Sequence, residues 1–335
     1  MHQELDILRN QLAEFFRTPE FSISPIPGGA SARLYYKIVF REKSYFPSPT
    51  VLLMQVPDPD SRLLHDHVNI NYYFKRMGIP TPRIYEVNLA RQWVFVHFET
   101  APTVEQYLHT NPQDIKSVVT GMVKFISRMQ KKCRHETHCP AFHRRFDDAK
   151  YQFEFDFHVA EQLLRFYFQM EYAPEVLRDF AREICTVLDI NENIFVHRDF
   201  QSSNVFITKT EKPFEYSVID FQDARYGTPV YDLVSCLWDS YIPISQDLRE
   251  KLVKQFYETL GDVSIDWSWD VYQKMVDYSI IQRKLHDAGA FAYNYRRFAS
   301  RRYVGYVTEA ITMALAVMRK YPHFSDAVKL FEKCK

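Results

Sequence analysis

Apolar and polar residues alternate through FSISPI, RLYYKIVF is rich in aromatic and β-branched residues, and a Pro-Gly-Gly-Ala-Ser turn at 27–31 separates the two runs. A period of two turns one face of a strand toward a core, so residues 21–40 predict two strands joined at that turn. TVLLMQV (50–56) predicts a third strand, bounded by prolines at 47, 49, 57 and 59. Residues 61–77 switch to helical spacing and stop at Gly78, where IPTP follows as a helix-terminating signal. PRIYEV and RQWVFVHF supply two more strands. With an amphipathic helix in MHQELDILRNQLAEFFRT ahead of them, these elements predict a small, mostly antiparallel lobe over residues 1–98.

From Ala101 the pattern turns helical. TVEQYL, 113–132, 147–170 and 174–189 are helix candidates, and residues from about 229 to 335 read the same way. Two apolar β-forming segments interrupt them: FVHRDFQSSNVFI (195–207), a strand, loop and strand, and SVIDFQDA (217–224). The expected fold is therefore α+β and bilobal, protein-kinase-like, with a β-rich lobe to residue 98 and a helical lobe over 99–335.

Composition narrows the function classes. Lys plus Arg and Asp plus Glu are both 42, which gives no basic excess of the kind a nucleic-acid binder carries. No run approaches the roughly 20 apolar residues of a membrane-spanning helix, and the N-terminus lacks the basic start and apolar core of a secretory signal. Five cysteines, an odd number, argue against a disulfide framework and for a reducing interior. The expectation is a cytoplasmic monomer acting on a small-molecule substrate, with neither nucleic acid nor membrane as partner.

The loop in FVHRDFQSSNVFI carries an Asp and an Asn five positions apart. Phosphoryl transfer asks little covalent chemistry of a protein: a base positioned for the acceptor hydroxyl, oxygen ligands for Mg²⁺, and a cover over the phosphates. Asp199 and Asn204 match the H-R-D-x-x-x-x-N arrangement that supplies the first two. Asp220, at the end of a strand in IDF, adds a hard oxygen ligand suited to Mg²⁺. The glycine turn between the first two strands can lay backbone N–H groups against phosphate. As an alternative, Asp199 and Asn204 are turn formers and Asp220 a strand-end cap.

HRDFQSSN followed by IDFQDARYGTPVYDLVS resembles the aminoglycoside-phosphotransferase-like kinases, and among them the bacterial anomeric sugar kinases that phosphorylate N-acetylmuramate and N-acetylglucosamine in cell-wall recycling. GGASARLYYKI, FDDAKYQFEFDF and QRKLHDAGAFAYNY extend the likeness over nearly the whole chain. The resemblance implies an ATP- and Mg²⁺-dependent kinase with Asp199 as catalytic base and Asn204 and Asp220 as metal ligands. Gly28, Gly29, Ala30 and Ser31 would cover the ATP phosphates, and Phe98 and Glu99 would hold the adenine edge through backbone groups. Asp232 would brace the catalytic loop, although a helix N-terminal acid fits the same position. Arg283 and His286, inside QRKLHDAG, are candidates for lining the acceptor pocket.

One departure stands out. The third strand of such a kinase carries a Lys for the α/β-phosphates, and TVLLMQV has Met54 or Gln55 there. Arg33 and Lys37 share a face of the second strand. Arg33 is the preferred substitute, since a guanidinium fork suits phosphate oxygens; Asp66 is a weak stand-in for the helix acid that pairs with such a Lys. CRHETHCPAFH (133–143) resembles a metal cluster but matches no usual zinc spacing, so a polar surface connection is expected. The basic run YRRFASRRY (295–303) reads as a solvated helix face. Aminoglycoside or choline-type acceptors, and an idle nucleotide-binding module, are the competing readings.

Overall fold

The computed structural model describes residues 2–26, 33–56, 61–190 and 192–334. Gly28, Gly29, Ala30 and Ser31 therefore lie outside the described residues. The chain divides into two compact units, Met1–Ala101 and Pro102–Lys335.

The first unit is built on strands β1 (Phe21–Ile26), β2 (Leu34–Phe40), β3 (Thr50–Gln55), β4 (Ile84–Asn88) and β5 (Trp93–His97). They form one antiparallel sheet in the order β1-β2-β3-β5-β4. Alternation along each strand sends side chains to two faces. On one, Leu8, Leu12 and Phe16 of helix α1 (His2–Phe16) pack with Phe21, Ile38, Phe40, Val51, Leu53, Trp93 and Phe95. On the other, Leu64 of helix α2 (Ser61–Met77) packs with Met54, Ile84, Val94 and Val96. Burying a side chain of this size contributes about 1.5–3 kcal/mol each. Helix α2 ends at Gly78, which takes a positive φ of 63°, a conformation open to glycine at little cost.

The second unit is mostly helical. Helix α3 (Val104–Thr110) opens with a capping box between Thr103 and Gln106. Helix α4 (Ile115–Lys132) buries Val118, Val119, Met122, Val123, Phe125, Ile126 and Met129, the stripe expected of an amphipathic helix. Helix α5 (Asp148–Glu154) continues without a break into a π-helical stretch, Phe155–Tyr167. A helix is expected there, but its second half winds wider than an α-helix. Helix α6 (Pro174–Leu188) follows. Two short antiparallel ribbons come next, β6 (Ile194–Val196) with β9 (Arg225–Gly227), and β7 (Val205–Lys209) with β8 (Glu215–Val218). Ile207 N–H donates to Pro102 O at 3.0 Å, tying the start of this unit to β7.

After them run α7 (Tyr231–Leu237), α8 (Gln246–Tyr257), α9 (Trp269–Phe298), α10 (Gly305–Met318) and α11 (Ser325–Glu332). Helix α9 is buried nearly all round from Met275 through Ala292, the mark of a central helix rather than a surface one. Gly289 makes its closest packing possible: a Cβ there would sit 2.1 Å from the carbonyl oxygen of His158 on the π-helical stretch. No helix among the described residues is long and apolar enough to cross a membrane.

Candidate active site

The loop after β6 is held by two buried carboxylates. Asp232, in the first turn of α7, accepts hydrogen bonds from the N–H groups of His197 at 2.7 Å and Arg198 at 2.9 Å. Burial pushes its carboxyl up to about 7, with those two donors pulling the other way. Asp239 accepts from the N–H groups of Ser202 at 2.6 Å and Tyr241 at 2.8 Å. Asp232 thus makes the bracing contacts that the resemblance implies. His197 is fully buried, edge-on to Phe200 and Phe221, and burial lowers it to about 4.

Between these anchors Asp199, Gln201 and Asn204 are half-buried while Arg198, Phe200 and Ser202 are buried. The apolar segment breaks so that these polar side chains, with Ser203, can emerge from a packed loop. Asn204 Nδ2 donates to Asp199 O at 3.0 Å, and Ile219 N–H donates to Asn204 O at 3.0 Å, which brings Asn204 beside the residue preceding Asp220. Asp220 is half-buried and its Oδ1 accepts from Gln222 Nε2 at 2.9 Å. Arg198 and Asp220 both have positive φ, 80° and 65°, a strained region for non-glycine residues that tends to mark functional sites.

Arg283 of α9 completes the geometry. Its Nη1 lies 3.1 Å from Asp199 Oδ1 and 3.0 Å from Arg198 O, and its Nε lies 2.9 Å from Asp287 Oδ1. Lys284, beside it, donates to Trp238 O at 2.9 Å, Ser240 Oγ at 2.7 Å and Asp287 Oδ2 at 2.9 Å. Burial opposes the charge of Asp287, but Arg283 and Lys284 outweigh it and hold the carboxyl well below its ordinary range.

A second buried cluster stands behind the loop. Arg198 donates from Nη2 to Glu154 Oε1 at 2.7 Å and from Nη1 to Asp223. Glu154 Oε2 accepts from Gln282 Nε2 at 2.8 Å, and Lys150 Nζ lies 3.3 Å from Oε1. Burial disfavours the charge of Glu154, yet His286, Arg198 and Lys150 together hold it well below the carboxylate range. His286 is 4.0 Å from Glu154 and 3.7 Å from Asp287, and its ring meets His158 at 4.4 Å. Burial, then the neighbouring His286, lowers His158 to about 2.

The structure therefore brings Asp199, Asn204, Asp220 and Arg283 together, with Arg283 on the carboxylate of Asp199 itself. His286 sits in the charge cluster one turn further along α9. In the first unit, Arg33 is buried, its guanidinium 5.8 Å from the Tyr35 ring. The ammonium of Lys37 lies 4.7 Å over Phe98, and Glu99 Oε1 accepts from Ala101 N–H at 3.1 Å. Met54 is buried in the α2-side core, and Asp66 lies 3.7 Å from Arg62.

Sequence reasoning missed Glu154, Asp223, Asp239 and Asp287. The four-residue spacings Lys150–Glu154 and Arg283–Asp287 were the available signal, since such pairs meet on a helix. The Cys/His segment is only partly a surface connection. Cys133 and Cys139 are buried, His135 Nδ1 meets Tyr226 OH at 2.9 Å, and among the described residues no group of three His, Cys, Asp or Glu is placed to hold a metal. In the basic run, Arg296 is 3.3 Å from Gln162 Oε1, Arg297 donates to Tyr293 OH at 3.0 Å and Arg302 lies 3.9 Å from Glu105.

Solved structures share this succession of units. An aminoglycoside phosphotransferase in its ADP-bound form superposes with a TM-score of 0.58 at 14% identity, over 91% of this chain and 96% of its own. A choline kinase from Cryptosporidium parvum gives 0.60 at 11% identity over 98% and 99% of the two chains. The fold is protein-kinase-like, a β-rich lobe followed by a helical one, and a family match with two kinase relatives makes the chain an enzyme, a phosphotransferase with an alcohol group as acceptor. The family model for the phosphotransferase enzyme family matches residues 22–269, and the chain belongs to that family. Among curated relatives, the N-acetylmuramate/N-acetylglucosamine kinase of Neisseria meningitidis serogroup B is 24% identical, over 96% of this chain and 93% of its own length. That of Pseudomonas aeruginosa is 22% identical over 93% and 88%.

Proposed function

We propose that the chain is an ATP- and Mg²⁺-dependent cytoplasmic sugar kinase that phosphorylates N-acetylmuramate or N-acetylglucosamine at the anomeric hydroxyl, in cell-wall recycling. The observation that carries the reading is similarity to kinases of that name over 96% of the chain, in a protein that keeps Asp199, Asn204 and Asp220 on one loop-and-ribbon scaffold.

Arg283 holds Oδ1 of Asp199, leaving Oδ2 to accept the hydrogen bond of the acceptor hydroxyl and then its proton. The anomeric hydroxyl is the most acidic of a sugar's hydroxyls, so it asks least of such a base. Asn204 turns its amide nitrogen to Asp199 O, so its Oδ1 would be the atom that, with the carboxylate of Asp220, holds a metal. Two hard oxygen ligands of this kind would suit Mg²⁺. When bound with the nucleotide, Mg²⁺ neutralises charge developing on the transferred phosphoryl group. By the family resemblance, Gly28, Gly29, Ala30 and Ser31, outside the described residues, would cover the phosphates, Arg33 would supply the cation absent from β3, and Phe98 and Glu99 would hold the adenine edge. Arg283 and His286 mark the acceptor side.

The test is ADP release with N-acetylmuramate, N-acetylglucosamine, an aminoglycoside and choline, followed by phosphorus NMR of the product. A 1-phosphate, coupled to the anomeric proton, is expected from an amino sugar. A 6-phosphate would overturn the anomeric assignment, and turnover confined to the aminoglycoside or choline would overturn the amino sugar.

A further inference from the structure

Asp199 and Arg283 form an ion pair, and their immediate predecessors in the chain, Arg198 and Gln282, are both bound by one carboxylate. Glu154 Oε1 receives Arg198 Nη2 at 2.7 Å, and Glu154 Oε2 receives Gln282 Nε2 at 2.8 Å. We infer that Glu154 is a positioning residue for the reaction: it sets the distance between the catalytic loop and α9, and so fixes the carboxylate of Asp199 against Arg283. The inference rests on the reading of Asp199 as the base.

Several observations converge on that role. Glu154 has no exposed surface, so its charge is retained only because cations surround it. Arg198, the residue it grips, is held in a left-handed conformation at φ 80°, which surrounding contacts must enforce. The carbonyl of the same Arg198 accepts from Arg283 Nη1 at 3.0 Å, so a shift at residue 198 moves the acceptor and the base together. Glu154 also stands at the junction where α5 passes into the π-helical stretch, and such widened turns recur at functional sites. Beyond it, Gly289 lets that stretch press against α9, so neither helix can drift to compensate for a lost contact.

The experiment uses Glu154→Gln and, because a buried charge change can impair folding, Gln282→Leu, which removes only the arm to α9. A displacement of about 1 Å at a reacting group can cost about 100-fold in rate. Glu154→Gln is therefore expected to lower kcat about 100-fold, and Gln282→Leu about 10-fold, with KM for nucleotide and acceptor within about threefold of wild type. Rates are referred to the concentration of nucleotide-binding sites, which removes any loss due to unfolded protein. The double variant Glu154→Gln/Arg198→Gln is expected to be no slower than the slower single variant, as for residues acting as a unit. Crystal structures of wild type and Gln282→Leu supply a readout independent of the acceptor: the Asp199–Arg283 contact of 3.1 Å should open in the variant. If that contact persists, or kcat per site stays within about twofold in both variants, Glu154 is a stability residue and the inference fails. An inert Asp199→Asn with an open Gln282→Leu pair would support it; a fully active Asp199→Asn would instead overturn the reading of the base.

Discussion

Arg283 Nη1 approaches Asp199 Oδ1 at 3.1 Å, so a residue on the central helix α9, 84 positions away in the chain, sets the direction of the loop carboxylate. This relationship explains why the QRKLHDAG segment is almost wholly buried despite its charge. Asp199→Asn keeps the shape but loses the proton acceptor. Its kcat is expected to fall by about three orders of magnitude, the scale of general-base catalysis, with nucleotide affinity barely changed. Near-wild-type turnover in a steady-state assay would refute the assignment.

Asp220→Ala removes the main carboxylate available to a metal. Activity is expected to vanish and MgATP binding to weaken, which metal titration monitored by nucleotide fluorescence measures directly. An unchanged Mg²⁺ dependence would take Asp220 out of the site.

Arg33→Ala is expected to raise the KM for ATP by about tenfold, more than Lys37→Ala does, because a forked guanidinium suits phosphate oxygens. Lys37 has a role of its own in the first unit, its ammonium lying over the Phe98 ring. Equal and small effects from initial-rate measurements would mean that the cation replacing the β3 lysine lies elsewhere.

Stability should depend on pH through His197. Burial lowers its pKa to about 4, below the ordinary 6.5 of the unfolded chain. The unfolded chain therefore binds the extra proton between those values, so this contribution is intact above pH 6.5 and is lost as pH falls. Asp232 runs the other way: raised to about 7, it favours the fold as pH drops toward 4. His197→Leu removes the first contribution and keeps the second. From pH 7 to pH 5 the stability of the variant should therefore rise by about 2 kcal/mol relative to wild type in urea unfolding. Parallel losses would show that His197 is not held neutral.

Gly289→Ala tests the approach of α9 to the π-helical stretch. The new methyl would meet a backbone carbonyl at 2.1 Å, which cannot rotate away. A cost of about 3 kcal/mol, read as a lower thermal midpoint, is expected from overpacking of this kind.

Much of the architecture was legible in the sequence, for identifiable reasons. The five strands and the helix after the third stood out because each is a run of β-forming or helically spaced residues bounded by Pro, Gly or a turn, and the order of Asp199, Asn204 and Asp220 followed from their motifs. Strand β9 and its pairing with β6 were hidden, because a three-residue strand carries no period. The π-helical winding after Glu154 was hidden too, since apolar residues in FDFHVAEQLLRFY fit an ordinary helix about as well. Glu154 itself escaped notice among the many acids of its segment. Its importance comes from partners 44 and 128 positions away, and no local pattern records those.

The apolar third strand has a pharmacological consequence. A nucleotide analogue with an acylating or sulfonylating group needs a nearby amine to modify, and the β3 lysine of a typical kinase is such an amine. Here the lysine position of that strand holds the thioether of buried Met54 or the amide of Gln55, neither of which such electrophiles modify. Reagents of that type would leave β3 of this enzyme untouched while labelling lysine-bearing kinases in the same mixture.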